Sequence, residues 1–493
     1  MKKIIIFFGI LFCGFAHSAQ IVNVEYIHNA IANRWDITVP YNPALTNPRV
    51  AANMKYLLST IDVANEMLNG EPTTYGTGEY ATTVAADTVA TNTAVDELVK
   101  KTEKYVFSFV PSRSRYYYEL IISAAGTFYV DWGDGTKETI EKQDTILTTY
   151  KHAYSDTADT YTIKLGGRAT AYSKSEAAVL FWENDYASDR TNSGVSAIDG
   201  CLGCVFPTLA DGSQPIFRYT FYQCESLKVI PENLFFNVIG APFAEMFYLT
   251  FYGCSGLTGN IPSGLFARVK GRPASYMFSG TFEGCSGLTS IPENLFAGIS
   301  GPPASYMFQS TFSGCSGLTS IPENLFAGIS GPAADGMFGG TFSGCSGLTS
   351  IPENLFAGIS GPAASSMFQS TFSGCSGLTG SIPSGLFAGI SGPPASYMFQ
   401  STFRGCSGLT GSIPENLFGD ISGVAASNMF AHMFFGCTGL TGPSARINRQ
   451  YLYEIWPDEE PYMYSGATGL SDYNCIPTAW GGGGKNCLAT DPA

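Results

Sequence analysis

The chain has 493 residues, a formal net charge of −14, only 13% charged residues, 13 cysteines and four histidines. It is long enough for several domains, and its acidic balance argues against nucleic acid and anionic membrane surfaces as partners. Histidine-based catalysis and histidine metal sites have few places to sit.

Residues 1–19 read as a signal peptide. Lys2 and Lys3 precede the apolar run Ile4 to Phe15, and Ser18 and Ala19 close it with small side chains, so cleavage is expected after Ala19. Cys13 invites a lipoprotein reading, but Phe12 before it is too bulky for that pattern. No second apolar run is long enough to span a bilayer. The expectation is an exported chain, extracellular or held at the cell surface, with no membrane insertion of the mature protein. Over 20–104 an N-terminal segment opens on an irregular lead-in. Two helices follow, at 51–69 and 79–104, where Met54, Leu57, Leu58, Ile61 and Leu68 share the face of the first. They read as a helical hairpin in preference to an oligomerising stalk.

Near Tyr105 the apolar period changes to two. Val106, Ser108 and Val110 alternate with Phe107 and Phe109, and aromatic, β-branched text continues to Trp132. Trp132-Gly133-Asp134-Gly135 is a turn signal, followed by His152-Ala153-Tyr154 and Tyr161-Thr162-Ile163. This pattern resembles a PKD-type domain, a small immunoglobulin-like β-sandwich, here 105–200. The resemblance implies a spacer or interaction module. His152 belongs to the pattern and is expected to hold structure by hydrogen bonding. Asp131 and Asp134 could bind calcium weakly, but two carboxylates do not make a site.

Residues 201–216 lead into a repeat and read as its N-terminal cap. Cys201-Leu202-Gly203-Cys204 has the spacing of redox and zinc motifs. It lacks a second such pair and a βαβ context, so a local disulfide or two packed thiols is expected. From 217 to 442 one unit is written eight times, marked by Cys224, Cys254, Cys285, Cys315, Cys345, Cys375, Cys406 and Cys437 at steps of 30 or 31 residues. Such a period means stacked units, each too small to bury its own apolar face. In the unit around Cys315, Phe308, Phe312 and Cys315 fall at helical spacing. A short strand at 318–321 follows, and then a second helical turn from Glu323 to Ala327. Met307, Phe308, Phe312, Cys315, Leu318, Ile321, Leu325, Phe326 and Ile329 are expected to point inward. Units with an extra residue carry it at Gly259, Gly380 and Gly411, where a bulge would keep the next isoleucine inside. Residues 443–493 read as a C-terminal cap and tail. There Leu470-Ser471-Asp472-Tyr473 echoes a degraded ninth unit, and Cys475 and Cys487 are the best disulfide pair.

The repeat signature, Phe312-Ser313-Gly314-Cys315-Ser316-Gly317-Leu318-Thr319-Ser320-Ile321-Pro322, resembles the BspA-like leucine-rich repeats of bacterial surface proteins. The resemblance implies a secreted or surface-displayed binding protein, with adhesion as its usual role. The fold class expected for the whole is multidomain α+β. A leucine-rich-repeat solenoid, with a short parallel strand and helical turns per unit, follows a β-sandwich and an N-terminal helical segment.

The repeat cysteines follow a strict period without accompanying His or Asp, so they read as a buried ladder of packed thiols. Glu293, Glu323, Glu353 and Glu415 each sit just after a proline at an expected helix start, where the helix dipole favours them. His432 reads as a packed histidine. No residue is assigned a catalytic or metal role, and no cofactor is expected. Between Pro273 and Phe403 there is no Lys or Arg, so a ligand there must be held by hydroxyls, amides, tyrosines and backbone. Comparing copies, the Met-Phe pair is constant from Met277-Phe278 to Met429-Phe430, while its neighbours vary. The preceding column reads Tyr276, Tyr306, Gly336, Ser366, Tyr397, Asn428, and the following one Ser279, Gln309, Gly339, Gln369, Gln400, Ala431. Tyr276, Tyr306, Tyr397, Gln309, Gln369 and Gln400 are therefore the binding candidates. The sequence favours a non-enzymatic adhesin for an extracellular protein or glycan. The alternative is a structural spacer or coat protein whose repeats only set length, with an exported carbohydrate-active enzyme in third place.

Overall fold

The computed structural model describes residues 106–112, 117–155, 160–181, 194–418, 420–447, 450–455 and 462–485. The expected signal peptide, the lipidation candidate Cys13 and both N-terminal helices lie outside these residues, as does Cys487.

The alternating stretch after Val106 forms eight strands in two antiparallel sheets. These are β1 (Phe107–Pro111), β2 (Tyr117–Ile122), β3 (Ala125–Asp131), β4 (Lys137–Lys142), β5 (Thr148–Ala153), β6 (Ile163–Ala171), β7 (Val179–Leu180) and β8 (Val195–Gly200). One sheet runs β4-β3-β6-β1-β8 and the other β5-β2-β7. Their inward residues, among them Phe107, Phe109, Leu120, Ile122, Phe128, Val130 and Leu165, are fully or almost fully buried in one core. Phe109 of the first sheet meets Tyr118 of the second at 5.3 Å.

The repeats correct the expected fold class. They contain no helix: the helices among the described residues are four-residue or shorter segments outside the units, α1 at Leu202–Val205 being the first. Where Phe308, Phe312 and Cys315 suggested an amphipathic helix, the backbone is a staircase of turns. Amides at odd positions close tight local turns, Gln309 to Tyr306, Thr311 to Phe308, Ser313 to Ser310 and Cys315 to Phe312. Amides at even positions donate instead to the next unit: Phe308 to Met337 at 3.0 Å, Ser310 to Gly339 at 2.8 Å, Phe312 to Thr341 at 2.9 Å. A helix would send every N–H to the fourth residue back. Here every fourth residue is left-handed, with φ of 58° at Tyr306, 53° at Ser310 and 72° at Gly314. A four-residue apolar period therefore has two solutions, a helix or a turn staircase, and stacking decides between them. Inter-unit bonds satisfy the backbone groups that a helix would satisfy internally. The segment from Glu323 to Ala327 is likewise a run of turns. Short parallel bridges link the units, as between Gly331 and Ile359 and between Gly361-Pro362 and Ile390-Ser391. The repeat region is thus a stack of turn-built coils, and the helical-turn leucine-rich-repeat form does not occur in it.

All nine residues expected to point inward are buried. Their rings form near-parallel columns: Phe308 to Phe338 at 5.8 Å, Phe312 to Phe342 at 5.6 Å, Phe326 to Phe356 at 6.1 Å. The extra residues leave Ile261, Ile382 and Ile413 buried. Gly259 and Gly411 are left-handed. The register irregularity near Gly259 falls on the neighbouring unit, between Leu288 and Ser290, while Gly411 pairs in steady register with Leu440.

Both ends of the stack are closed. At the start, β7 takes the place of a preceding coil: Phe181 stacks on Phe221 at 5.1 Å, its amide donates to Thr220, and the Thr220 hydroxyl donates to Val179. Beside it, α1 lies against the first unit through the Gly203 amide, which donates to Leu234, and Cys201 and Cys204 form a disulfide. At the far end Tyr464 stacks on Phe434 at 5.9 Å, and the buried Trp480 covers Tyr464. Cys475 is disulfide-bonded.

Candidate functional site

The left-handed column places the candidate side chains. The residue before each Met-Phe pair has positive φ in every unit from Glu245 to Asn428, including Tyr276 at 56°, Tyr306 at 58° and Tyr397 at 60°. That backbone is easy for the Gly336 and Asn428 found in the same column and costs other residues about 1–2 kcal/mol. The column also holds Glu245 and Ser366 at a similar φ, so the backbone conformation does not by itself call for tyrosine.

The six candidates fall into separate groups. Tyr276 and Tyr306 stack at 4.8 Å with planes 13° apart, both partly buried. A β-carbon on Gly336 would collide with the Tyr306 ring, so the glycine makes room for that ring and ends the column. Tyr397, 39% exposed, stands beyond Gly336 and Ser366 and is not part of the pair. Gln369 donates its amide to the Gln400 carbonyl oxygen at 2.5 Å, tying two candidates to each other. Gln309 is cut off from them by Gly339.

Four tyrosines that the comparison of copies missed extend the Tyr276–Tyr306 pair. Tyr248 meets Tyr276 edge-to-face at 6.3 Å and Tyr219 at 5.4 Å. Tyr219 contacts Tyr222 at 5.6 Å, and Tyr222 stacks on Tyr252 at 4.8 Å. The result is a continuous face of six tyrosines over the first four units, and Tyr219 continues it onto the sandwich against Ile121 and Leu180. The signal was available in the first two copies, where Tyr219, Tyr222, Tyr248 and Tyr252 stand in place of the usual Ser, Gln and Gly.

Two carboxylates flank this face. Glu245 accepts from Arg218 at 2.7 Å, and Arg218 also reaches Glu176 at 3.6 Å. Glu283 is half-buried, and burial alone raises its carboxyl above the usual range. Tyr248 is pushed up to about 12, first by burial, then by the charge and hydrogen bond of Tyr219 and by Glu245 and Glu283. Burial first, then Tyr306 and Glu245, also raises Tyr276.

The remaining candidates have structural roles. From Cys254 to Cys437 each repeat thiol donates to the carbonyl of a phenylalanine in the preceding unit, Cys315 to Phe282 at 3.1 Å and Cys345 to Phe312 at 3.0 Å. Burial holds the thiols protonated, pushing Cys375 and Cys437 up to about 12. A second buried ladder, of threonines, was not foreseen: Thr311 donates to Phe278 at 2.9 Å and Thr341 to Phe308 at 2.9 Å. Glu293, Glu323, Glu353 and Glu415 are exposed turn residues, so the helix-dipole explanation lapses with the helix. His432 packs between Phe435 and Tyr462, and burial, with a smaller contribution from Arg404, lowers its pKa. His152 stacks on Trp132 at 4.7 Å and meets Asp134 at 2.8 Å, while Asp131 accepts from Lys137 and the Gly133 amide. Among the described residues no group of three or more His, Cys, Asp or Glu could hold a metal ion, and no helix is long and apolar enough to cross a membrane.

In comparisons with known proteins, the chain matches no family model, no curated protein and no solved structure.

Proposed function

We propose that this chain is an exported, surface-displayed, non-enzymatic binding protein whose tyrosine face engages an extracellular protein or glycan. The observation that carries the reading is tyrosine at the left-handed positions of Tyr276 and Tyr306, where glycine or asparagine would relieve the backbone. The rings gain some stacking from each other, but both residues remain partly open to solvent. Tyrosine supplies contact area and hydrogen bonding at low conformational cost, the combination that recognition surfaces use. The amino-terminal apolar segment and the resemblance to bacterial surface repeats support export and adhesion.

Binding of the mature chain (Gln20 onward) to an array of matrix proteins, mucins and glycans tests the reading. The Tyr276→Asn/Tyr306→Asn variant, chosen because asparagine tolerates the left-handed backbone, is run beside it. A specific hit weakened at least about tenfold in the variant is expected, the loss of one or two stacked aromatic contacts. A hit untouched by the variant moves the site elsewhere. No hit, together with self-assembly of the purified chain, favours the structural spacer.

A further inference from the structure

We propose that Glu283, with Tyr248 and Tyr252 beside it and Tyr222 stacked behind Tyr252, forms a binding site for a lysine or arginine side chain displayed by a partner protein. The inference rests on the tyrosine face being the binding face.

Glu283 occupies in the third unit the place that Tyr222 and Tyr252 take in the first and second. Those two rings stack at 4.8 Å, so the carboxylate stands at the open end of an aromatic column. Gly280 lies beside it: at φ 60°, a β-carbon there would collide with Leu249 Cδ2 and crowd Glu283 Oε2 at 3.2 Å. Tyr248 is close enough to both Glu245 and Glu283 for their charges to act on its hydroxyl.

The site is short of positive charge. Arg218, on this face, is taken up by Glu245 and Glu176. From Pro273 to Phe403 the chain has neither Lys nor Arg, while Glu283, Glu293, Glu323, Asp335 and Glu353 lie within that span. Among the described residues, no cation or hydrogen bond offsets the effect of burial on Glu283. A half-buried carboxylate left in that condition is a cost to the free protein. An ammonium or guanidinium group offsets it twice over, by pairing with the carboxylate and by lying against tyrosine rings. A neutral sugar hydroxyl can donate a hydrogen bond to the carboxylate but leaves its charge unbalanced.

The test uses the mature chain at physiological ionic strength with a fluorescent hexalysine peptide and its fully acetylated counterpart as probes. Hexalysine should bind and the acetylated peptide should not. Glu283→Gln should weaken hexalysine binding about tenfold, as expected for a desolvated ion pair assisted by aromatic contact, and Tyr252→Leu should weaken it also. Glu323→Gln removes the same charge from an exposed turn and should change nothing. Glu283→Gln should also raise the melting temperature, which separates lost binding from lost folding. Equal effects of Glu283→Gln and Glu323→Gln would reduce the interaction to general attraction between an acidic chain and a cation, and overturn the site. If the array returns only neutral glycans whose binding needs Tyr276 and Tyr306, the binding function stands and the cation site falls.

Discussion

At the scale of single residues, the same carbonyls serve two donors. Phe282 accepts from the Cys285 amide in its own turn and from the Cys315 thiol in the next unit. Phe308 accepts likewise from the Thr311 amide and the Thr341 hydroxyl. A small buried side chain carrying one donor is what each position requires, and cysteine and threonine both supply it. The buried cysteines were legible from their period. The buried threonines were not, since a hydroxyl in a Gly- and Ser-rich unit reads as surface until a carbonyl is placed opposite it. The His152 contact belongs to this scale too. Partial burial tends to raise the Asp134 carboxyl, but hydrogen bonds from Thr136 and His152 outweigh it and hold the pKa at about 2, below its ordinary 3.8. A depressed carboxyl stabilises the fold above its unfolded pKa and loses that contribution as pH falls through the folded one. Thermal unfolding followed from neutral pH downward should show the native chain losing stability between about pH 4 and 2 relative to Asp134→Asn. The variant should start lower at neutral pH, and parallel curves for the two would refute the assignment.

At the scale of the element, the staircase explains two kinds of glycine. Gly344 is left-handed at 72°, and a β-carbon there would sit 3.6 Å from Gly314 Cα, an ordinary contact. Gly347 has no such backbone demand, yet its β-carbon would lie 2.5 Å from the Ser316 carbonyl oxygen and 2.7 Å from that of Leu318. Gly344→Ala should therefore cost only the conformational strain, about 1–2 kcal/mol. Gly347→Ala must push one coil away from the next and should cost more, a difference that denaturant titration of the two variants can read. Equal costs would mean that inter-unit spacing is soft. The helical spacing of Phe308, Phe312 and Cys315 misleads at this scale because period alone does not say where the amides go. The left-handed residue in every fourth position was hidden because Tyr306 and Ser310 do not advertise positive φ as Gly314 does.

At the scale of the molecule, the two sheets and the repeats share one core through Phe181. That ring lies 5.4 Å from Phe107, 4.9 Å from Phe109 and 5.1 Å from Phe221. Phe181→Ala should cost about 3–5 kcal/mol and weaken hydrogen-exchange protection on both sides of the junction, in β1 and in the first two units. Protection lost only in the strands would mean that the repeats close their own end. The tyrosine face is also a property of this scale. Tyr276 and Tyr306 were visible in one column, but Tyr248, Tyr219, Tyr222 and Tyr252 lie in three other columns and join them only across the stack.

The sequence by itself determined the unit length, the inward residues and the location of the variable columns, because a stacked array repeats its core in the text of the chain. Only the tertiary structure decided how each unit closes. A lone unit cannot satisfy its backbone as a turn staircase, since every second amide donates to a neighbour. The choice between helix and staircase is therefore made by the stack, as is the gathering of tyrosines from separate columns onto one face.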